Sequence, residues 1–446
     1  MGFTIVLQKP SVVWADPKSI DNDRLDSEFY KVIYLGYQQK IISSKLTVIT
    51  IGEALRKMNS PIGWQGIPSS AYLDRGKGIP LLRVQSIQNN EIAWESVIDV
   101  ESEIYFSQPA IQAQANDIIV TRVGTIGRFC KVPSIVDKIA MGQNLTRISF
   151  GSDLDIDYLL AYMNTDYCLK QMERYSYGGV QSSLTNKNLK NILLALPTKQ
   201  IQQYIGEKLR KAEELRQEAK QLREEAEHIF KNYVGVLNSN KKMIKNINVQ
   251  ILDNDTWAPM FFDSLQITNG SDLDFVALNN VQKSIKCGEP VKKEDRLGQS
   301  YPFYGASGIS DTIGSYNFDG QYLIIAQDGS IGCVSVANGK FWANNHVWIV
   351  EINEEWNPYF LSLYLNRYPY WYCLTTGSVV PKVTSENLRK LLVPVTPIEI
   401  QNRIGNRLAN AEQRQSLAEK LIQEAKRDVE DLIEGKFDES KISEGV

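Results

Sequence analysis

Along two stretches of the chain, small and apolar residues recur at steps that alternate between three and four. From Ile205 they fall at Leu209, Ala212, Ala219, Ala226, Phe230 and Tyr233, with Arg216 and Arg223 filling the steps between. From Ile404 they fall at Leu408, Ala411, Ala418, Ile422, Ala425, Val429 and Leu432, with Gln415 between. This spacing keeps one stripe of a helix facing a partner and predicts a coiled-coil seam. The flanking Glu, Lys, Arg and Gln are good helix formers, and Pro197 and Pro397 stand where each helix would begin. Each helix should run for roughly 35 residues, about 50 Å at the rise of an α-helix. Alanines at matching seam positions would let two helix axes approach closely. The helices could instead be amphipathic and pack on separate domains, but the matched seams favour packing on each other, as an antiparallel pair.

Both stretches belong to a larger repeat. NLKNILLALPTKQIQQYIGEKL (188–209) lies over NLRKLLVPVTPIEIQNRIGNRL (387–408) at an offset of 199. Eight of the 22 positions are identical: Asn188, Leu189, Leu193, Ile201, Gln202, Ile205, Gly206 and Leu209. Upstream, looser matches follow in order. DIIVTRVGTIGRF (117–129) resembles YLIIAQDGSIGCV (322–334), MGQNLTRI (141–148) falls near ANNHVWIV (343–350), YLLAYMNT (158–165) near YFLSLYLN (359–366), and GGVQSSLT (178–185) near GSVVPKVT (377–384). The chain therefore reads as two copies of one unit, too few for a solenoid.

Within each copy the upstream part alternates short β-rich runs with Gly, Asn and Asp. Val123-Gly124-Thr125-Ile126-Gly127 and Asp328-Gly329-Ser330-Ile331-Gly332 read as tight turns between paired strands, and residues 155–175 and 356–372 read as helical. The predicted fold class is α+β, largely antiparallel, with two tandem globular domains, each followed by a long α-helix. The expected boundaries are a lead-in at 1–29, a first domain at 30–197, a helix and linker at 198–246, a second domain at 247–396, and a helix and tail at 397–446.

Composition narrows the chemistry. At 446 residues, 43% hydrophobic and 23% charged, the sequence is that of an ordinary globular protein. Its two histidines, His228 and His346, leave no room for a His-rich metal site and few options for Ser-His-Asp or Cys-His catalysis. Five unpaired-looking cysteines, no basic leader before an apolar run and no long apolar stretch suggest a reduced, cytoplasmic protein. A phosphate-binding GxxxxGK[ST] loop, the glycine-rich signal of a dinucleotide or S-adenosylmethionine site, and clustered metal carboxylates are all missing. Asp153, Asp155 and Asp157 precede a helix and read as capping and solvated charge. Several catalytic classes failing together favours a binding protein, expected to hold no cofactor and no metal.

The ordered, duplicated set resembles the DNA specificity subunit of type I restriction-modification enzymes over roughly residues 24–435. RLDSEFY (24–30) resembles that family's entry to its first target-recognition domain. GIPLLRVQSIQNNEI (78–92) resembles its opening strands, DIIVTRVGTIGR (117–128) its mid-domain hairpin, and LPTKQIQQYIGEKL and VTPIEIQNRIGNRL the start of its helices. WAPMFFD (257–263) matches RLDSEFY poorly, and Leu196-Pro197-Thr198 and Thr396-Pro397 stand where many members carry a double proline. The resemblance implies a non-catalytic host-defence subunit. Each target-recognition domain would read one half of a split, asymmetric target in double-stranded DNA, and the coiled coil would set the spacer. Two modification (methyltransferase) subunits would dock on it and restriction (translocase and endonuclease) subunits would join them; S-adenosylmethionine, ATP and Mg would sit on those partners.

Charge complicates this reading. The net −3 is the sum of −2 over residues 1–29, +7 over residues 30–246 and −8 over residues 247–446. DNA affinity is strongly electrostatic, so the second domain should bind DNA weakly alone, or bind something else. A two-module scaffold that does not bind DNA is the alternative, and an independent nuclease or methyltransferase is a third reading. Candidate DNA contacts in predicted turns and strand ends are Lys77, Arg83, Arg122, Arg128, Gln143, Asn144, Gln181 and Lys187 in the first domain. In the second they are Lys292, Lys293, Tyr304, Gln327, Asn344, Asn345, His346 and Lys382. Arg suits guanine, and Asn or Gln suits adenine, because each can bond two groups on the base edge. Each candidate also has a plainer reading as a surface or fold-satisfying residue. His228, inside the first helix, reads as solvated or helix-packing.

Overall fold

The strands pair in the same way in both copies. In the first, β1 (Thr47–Thr50), β2 (Leu55–Asn59), β3 (Ile79–Leu82), β4 (Ile98–Val100), β5 (Ile118–Thr121), β6 (Phe129–Lys131), β7 (Ile139–Met141), β8 (Leu145–Phe150) and β9 (Leu193–Leu196) are the main strands. One sheet has the order β6-β5-β8-β2, β4, β3 and β7 lie together in a second sheet, and β9 returns to pair with β1. In the second copy the strands are β10 (Phe275–Ala277), β11 (Gln282–Cys287), β12 (Tyr301–Gly305), β13 (Gly308–Ile313), β14 (Phe318–Asp319), β15 (Tyr322–Ala326), β16 (Val334–Ala337), β17 (Lys340–Ala343), β18 (Val347–Ile352) and β19 (Leu392–Pro394). The order β11-β18-β15-β16 repeats that of the first sheet, and β19 pairs with β10 as β9 does with β1. Pairing is antiparallel apart from one parallel pair in each copy, β3 with β7 and β12 with β17. The computed structural model describes residues 27–61, 67–88, 90–134, 136–176, 182–235, 273–292, 294, 296, 300–369, 371–377 and 380–444. The lead-in before Ser27, the linker 236–255 and the segment WAPMFFD lie outside the described residues.

The hairpin turns are as expected. Gly124 and Gly127 (φ +78° and +83°) and Gly329 and Gly332 (φ +68° and +91°) adopt the left-handed backbone that joins β5 to β6 and β15 to β16. Around the sheets lie α1 (Val32–Ser43), α2 (Ile156–Met163), α3 (Asp166–Tyr175) and α4 (Asn186–Lys190), and after them α5 (Lys199–Tyr233). The second copy has α6 (Pro358–Leu365), α7 (Ser385–Arg389), α8 (Ile398–Glu434) and the short α9 (Lys441–Glu444). The helical reading of 356–372 is corrected: α6 stops at Leu365 and a short 3-10 turn follows at Trp371–Leu374. Pro369, which cannot donate a backbone hydrogen bond, stands where a counterpart of α3 would run. Asp155 caps α2, accepting from the backbone N–H groups of Asp157 and Tyr158 at 3.0 Å each. Asp157 is not solvated. It is buried against Lys131 (2.6 Å) and Arg210 (3.1 Å).

The chain divides into two units that do not follow the repeat. One comprises residues 1–215 with 416–446, the other residues 216–415. Each takes the first half of one long helix and the last half of the other. In the first, Ala212 and Leu215 pack on Ala418 beside Leu421 and Ile422. Ile201 and Ile205 share a core with Ala425, Val429, Leu432 and Ile433, against which Leu209 packs. In the second, Ala226 and Phe230 share a core with Ile404, against which Leu408 packs, and Ala219 and Ala411 are fully buried. The two helices therefore pair antiparallel. Equivalent residues form the crossing ion pairs of both units: Lys208 with Glu424 (3.8 Å) and Arg407 with Glu225 (2.9 Å), each partner offset by 199. One seam assignment is corrected. Tyr233 is 38% exposed, and Val234, one step on, is buried in its place, because α5 ends there with Gly235 at φ +87°.

The repeated Gln and Gly at the helix starts have a structural cause. Gln202 accepts from the backbone N–H of Asp155 (3.2 Å) and donates to the Pro197 carbonyl (3.0 Å). Gln401 accepts from the N–H of Asn357 (2.9 Å) and donates to the Thr396 carbonyl (2.8 Å). Asp155 and Asn357 are the residues that cap α2 and α6. A Cβ at Gly206 would overlap the Asp155 carboxylate, and one at Gly405 the Asn357 amide. Alanine gains about 1 kcal/mol of helix propensity over glycine, but a displaced cap costs about 1–2 kcal/mol, and here the Gln hydrogen bond is lost with it. Gly405→Ala should therefore lower stability by about 1 kcal/mol or more, read as a fall in the thermal midpoint.

Candidate nucleic-acid interface

Three chain segments meet at the same place in each copy. In the first, the N–H of Arg122, just past β5, donates to the carbonyl of Asn144, just before β8 (3.0 Å), and the Arg122 carbonyl accepts from Leu184 (2.8 Å). In the second, the N–H of Gln327, just past β15, donates to the carbonyl of His346, just before β18 (2.9 Å), and the Gln327 carbonyl accepts from Val383 (2.8 Å). The segment supplying Leu184 or Val383 is held by the helix that follows it. Thr185 caps α4 and Thr384 caps α7, each accepting at 3.1 Å from an asparagine N–H, that of Asn188 or Asn387. The side chains of those asparagines donate to the carbonyls of Tyr175 (2.9 Å) and Leu374 (3.0 Å). The result is one backbone cradle built twice, with different side chains on it.

In the first copy the cradle brings together Arg122, Asn144, Gln143 and Arg83. Gln143 is exposed, and Asn144 is half-buried with φ +68°, a left-handed conformation that asparagine tolerates. Arg83 lies beside Gly142, and its guanidinium donates to the Ser96 carbonyl (3.2 Å). Arg128, on the hairpin, is exposed and donates to the Ile87 carbonyl (3.3 Å). Lys187 is exposed on α4. Lys77 is in a different turn, paired with Asp74 at 2.7 Å. Gln181 lies outside the described residues.

In the second copy Gln327, Asn344, Asn345, His346 and Lys382 converge. The Asn344 side chain accepts from the His346 N–H (2.8 Å), and the Asn345 carbonyl lies 3.7 Å from the Cys287 thiol, whose pKa is raised by burial. Between them is Asp328, which the sequence reading placed only in a turn. It is 7% exposed and contacts His346 Nδ1 at 2.8 Å and Lys382 Nζ at 3.3 Å. The available signal was the alignment itself, since Asp328 stands where the first copy has Val123. Lys292 is exposed and apart from this cluster, and Lys293 lies outside the described residues. Tyr304 is corrected from candidate reader to core residue. It is 6% exposed, packs edge-on against Phe341 at 5.2 Å, and burial pushes its hydroxyl up to about 12.

Charge also divides differently by unit. The first holds 29 Lys and Arg against 31 Asp and Glu, and the second 20 against 21, so the nets are −2 and −1. The imbalance, +5 over residues 1–246 against −8 over residues 247–446, vanishes because residues 416–446 (net −4) belong to the first unit and residues 216–246 (net +3) to the second. Among the described residues no group of His, Cys, Asp and Glu could hold a metal ion, and no helix is long and apolar enough to cross a membrane.

The sequence matches the type I restriction modification DNA specificity domain twice, over residues 62–228 and 270–427. It is 33% identical over 144 residues to a protein of Haemophilus influenzae named as a type I restriction enzyme specificity subunit, covering 31% of this chain and 37% of that one. It is 23% identical over 176 residues to the MjaVIII specificity subunit of Methanocaldococcus jannaschii, covering 38% and 41%. The matches thus span about two fifths of these relatives' own length. Among solved structures, the S subunit of a type I restriction-modification system from M. genitalium has the same fold, with a TM-score of 0.51 at 15% identity over 89% of this chain and 97% of that one.

Asn188→Ala and Asn387→Ala each remove a hydrogen bond that closes a cradle. Each should cost about 1 kcal/mol. Because they fall in separate units, their effects should add in the double variant, as measured by urea denaturation.

Proposed function

Because the chain belongs to the family of type I restriction-modification DNA specificity domains, we propose that it reads a split, asymmetric DNA target, one half-site per domain, for a modification enzyme. The observation that carries this reading is the duplicated cradle. The backbone scaffold is the same in both copies, whereas Arg122, Val123, Asn144 and Ser183 in one correspond to Gln327, Asp328, His346 and Lys382 in the other. One scaffold carrying two sets of donors and acceptors is what two unlike half-sites require.

On this reading the antiparallel helices act as the spacer ruler and offer docking surfaces to two methyltransferase subunits, which a restriction subunit joins. S-adenosylmethionine, ATP and Mg belong to those partners, and this chain supplies the address and no chemistry. Neither unit is basic overall, so the partners would add cationic surface around the duplex. The complex would work in the cytoplasm, where host DNA is methylated.

The test is to assemble the chain with its methyltransferase and map methylation across a random DNA library. A two-part motif with a fixed gap is expected; a continuous motif, or none, overturns the proposal. A two-module scaffold that does not bind DNA would give no salt-sensitive binding in the same assembly. Ala219→Glu with Ala418→Glu places carboxylates at two fully buried seam positions, a loss of several kcal/mol. The spacer preference of that variant should shift or broaden; an unchanged gap would show that the helices are not the ruler.

A further inference from the structure

Asp328 fixes which hydrogen-bonding face His346 presents. Its carboxylate is nearly buried and lies 2.8 Å from His346 Nδ1 and 3.3 Å from Lys382 Nζ. An ionised carboxylate only accepts, so Nδ1 must carry the hydrogen. In the neutral imidazole the other nitrogen, Nε2, then holds a lone pair. The His346 backbone is pinned as well, its N–H on Asn344 and its carbonyl on Gln327. The side chain remains 49% exposed, and among the described residues none hydrogen-bonds Nε2.

The first copy shows that these features go together. At the equivalent places it has Asn144, Val123 and Ser183. An asparagine amide carries a donor and an acceptor at once and needs no partner to choose between them. A histidine does, and the copy with the histidine is the copy with Asp328 beneath it. Lys382 offsets the charge that Asp328 would otherwise bring toward phosphate.

We propose that His346 is a specificity-determining residue of the second half-site, and that Asp328 is its positioning residue. With Nδ1–H held on Asp328, Nε2 accepts a hydrogen bond from an exocyclic amino group on the major-groove edge, that of adenine or cytosine. Guanine and thymine present acceptors there and are disfavoured. This rests on the DNA-reading proposal above and names one of its contacts.

Two measurements test it. The chain has only two histidines, so selective 15N-histidine labelling with His228→Gln as the assignment control isolates the His346 ring. In the neutral ring its shifts should show the hydrogen on Nδ1 and none on Nε2, and Asp328→Leu should move them toward the opposite tautomer; a neutral ring that carries its hydrogen on Nε2 in the unaltered chain overturns the proposal. In the assembled methyltransferase, library mapping should show one second-half position that prefers adenine or cytosine. His346→Ala should reduce that preference about tenfold, the worth of one hydrogen bond, and Asp328→Leu should weaken it or turn it toward guanine or thymine, both leaving the first half-site unchanged. A split motif that is identical in the His346→Ala enzyme sinks this inference and leaves the DNA-reading proposal standing. Absence of any split motif sinks both.

Discussion

The largest hydrophobic cluster of each unit draws on both long helices. The core of the first unit includes Ile201 and Ile205 from α5 together with Ala425, Val429, Leu432 and Ile433 from α8; that of the second includes Ala226 and Phe230 from α5 together with Ile404 from α8. Because each unit takes opposite ends of the two helices, the pairing must be antiparallel, and its register is set by which alanines meet. Fully buried alanines leave little space between the axes, so a larger side chain there would have to push the helices apart. The domains are therefore fastened to the helices by packing and not merely joined to them by chain.

The fastening is local and is repeated. Gln202 and Gly206, and again Gln401 and Gly405, receive the capping residue of the preceding domain helix, Asp155 or Asn357. The pair of residues works as a socket: the amide takes the cap's backbone and the missing Cβ makes room for its side chain. In the first unit a buried ion pair, Lys208 with Asp428 at 2.6 Å, joins the two helices, and Lys441 of α9 meets the same carboxylate at 3.1 Å. On the proposed reading, each socket helps hold its own unit's cradle to the geometry of base edges, since readout by hydrogen bonds depends on distance and direction.

Much of this was legible in the sequence, and the reasons differ by element. Seam positions such as Ala212, Ala418 and Val429 announce themselves through period, which a helix turns directly into a face. The hairpins at Gly124–Gly127 and Gly329–Gly332 announce themselves through glycine, which tolerates positive φ. Tyr304 misled because a tyrosine near a turn looks available, while its burial depends on Phe341, distant in sequence. Asp328 was overlooked because its meaning lies in His346 and Lys382, 18 and 54 residues further along the chain.

The sequence by itself determined the duplication, the α+β character of each copy, the helical seams and the family, because these are written in period, order and local backbone preference. Only the tertiary structure decided how the helices divide between the units. That division replaced a charge split of +5 over residues 1–246 and −8 over residues 247–446 with near-equal units of −2 and −1. It also decided which polar residues share a cradle, since hydrogen bonds such as Gln327 to His346 and Val383 to Gln327 join segments that the linear sequence keeps apart. Charge and recognition are properties of surfaces, and a surface is assembled by long-range contacts that no local pattern encodes.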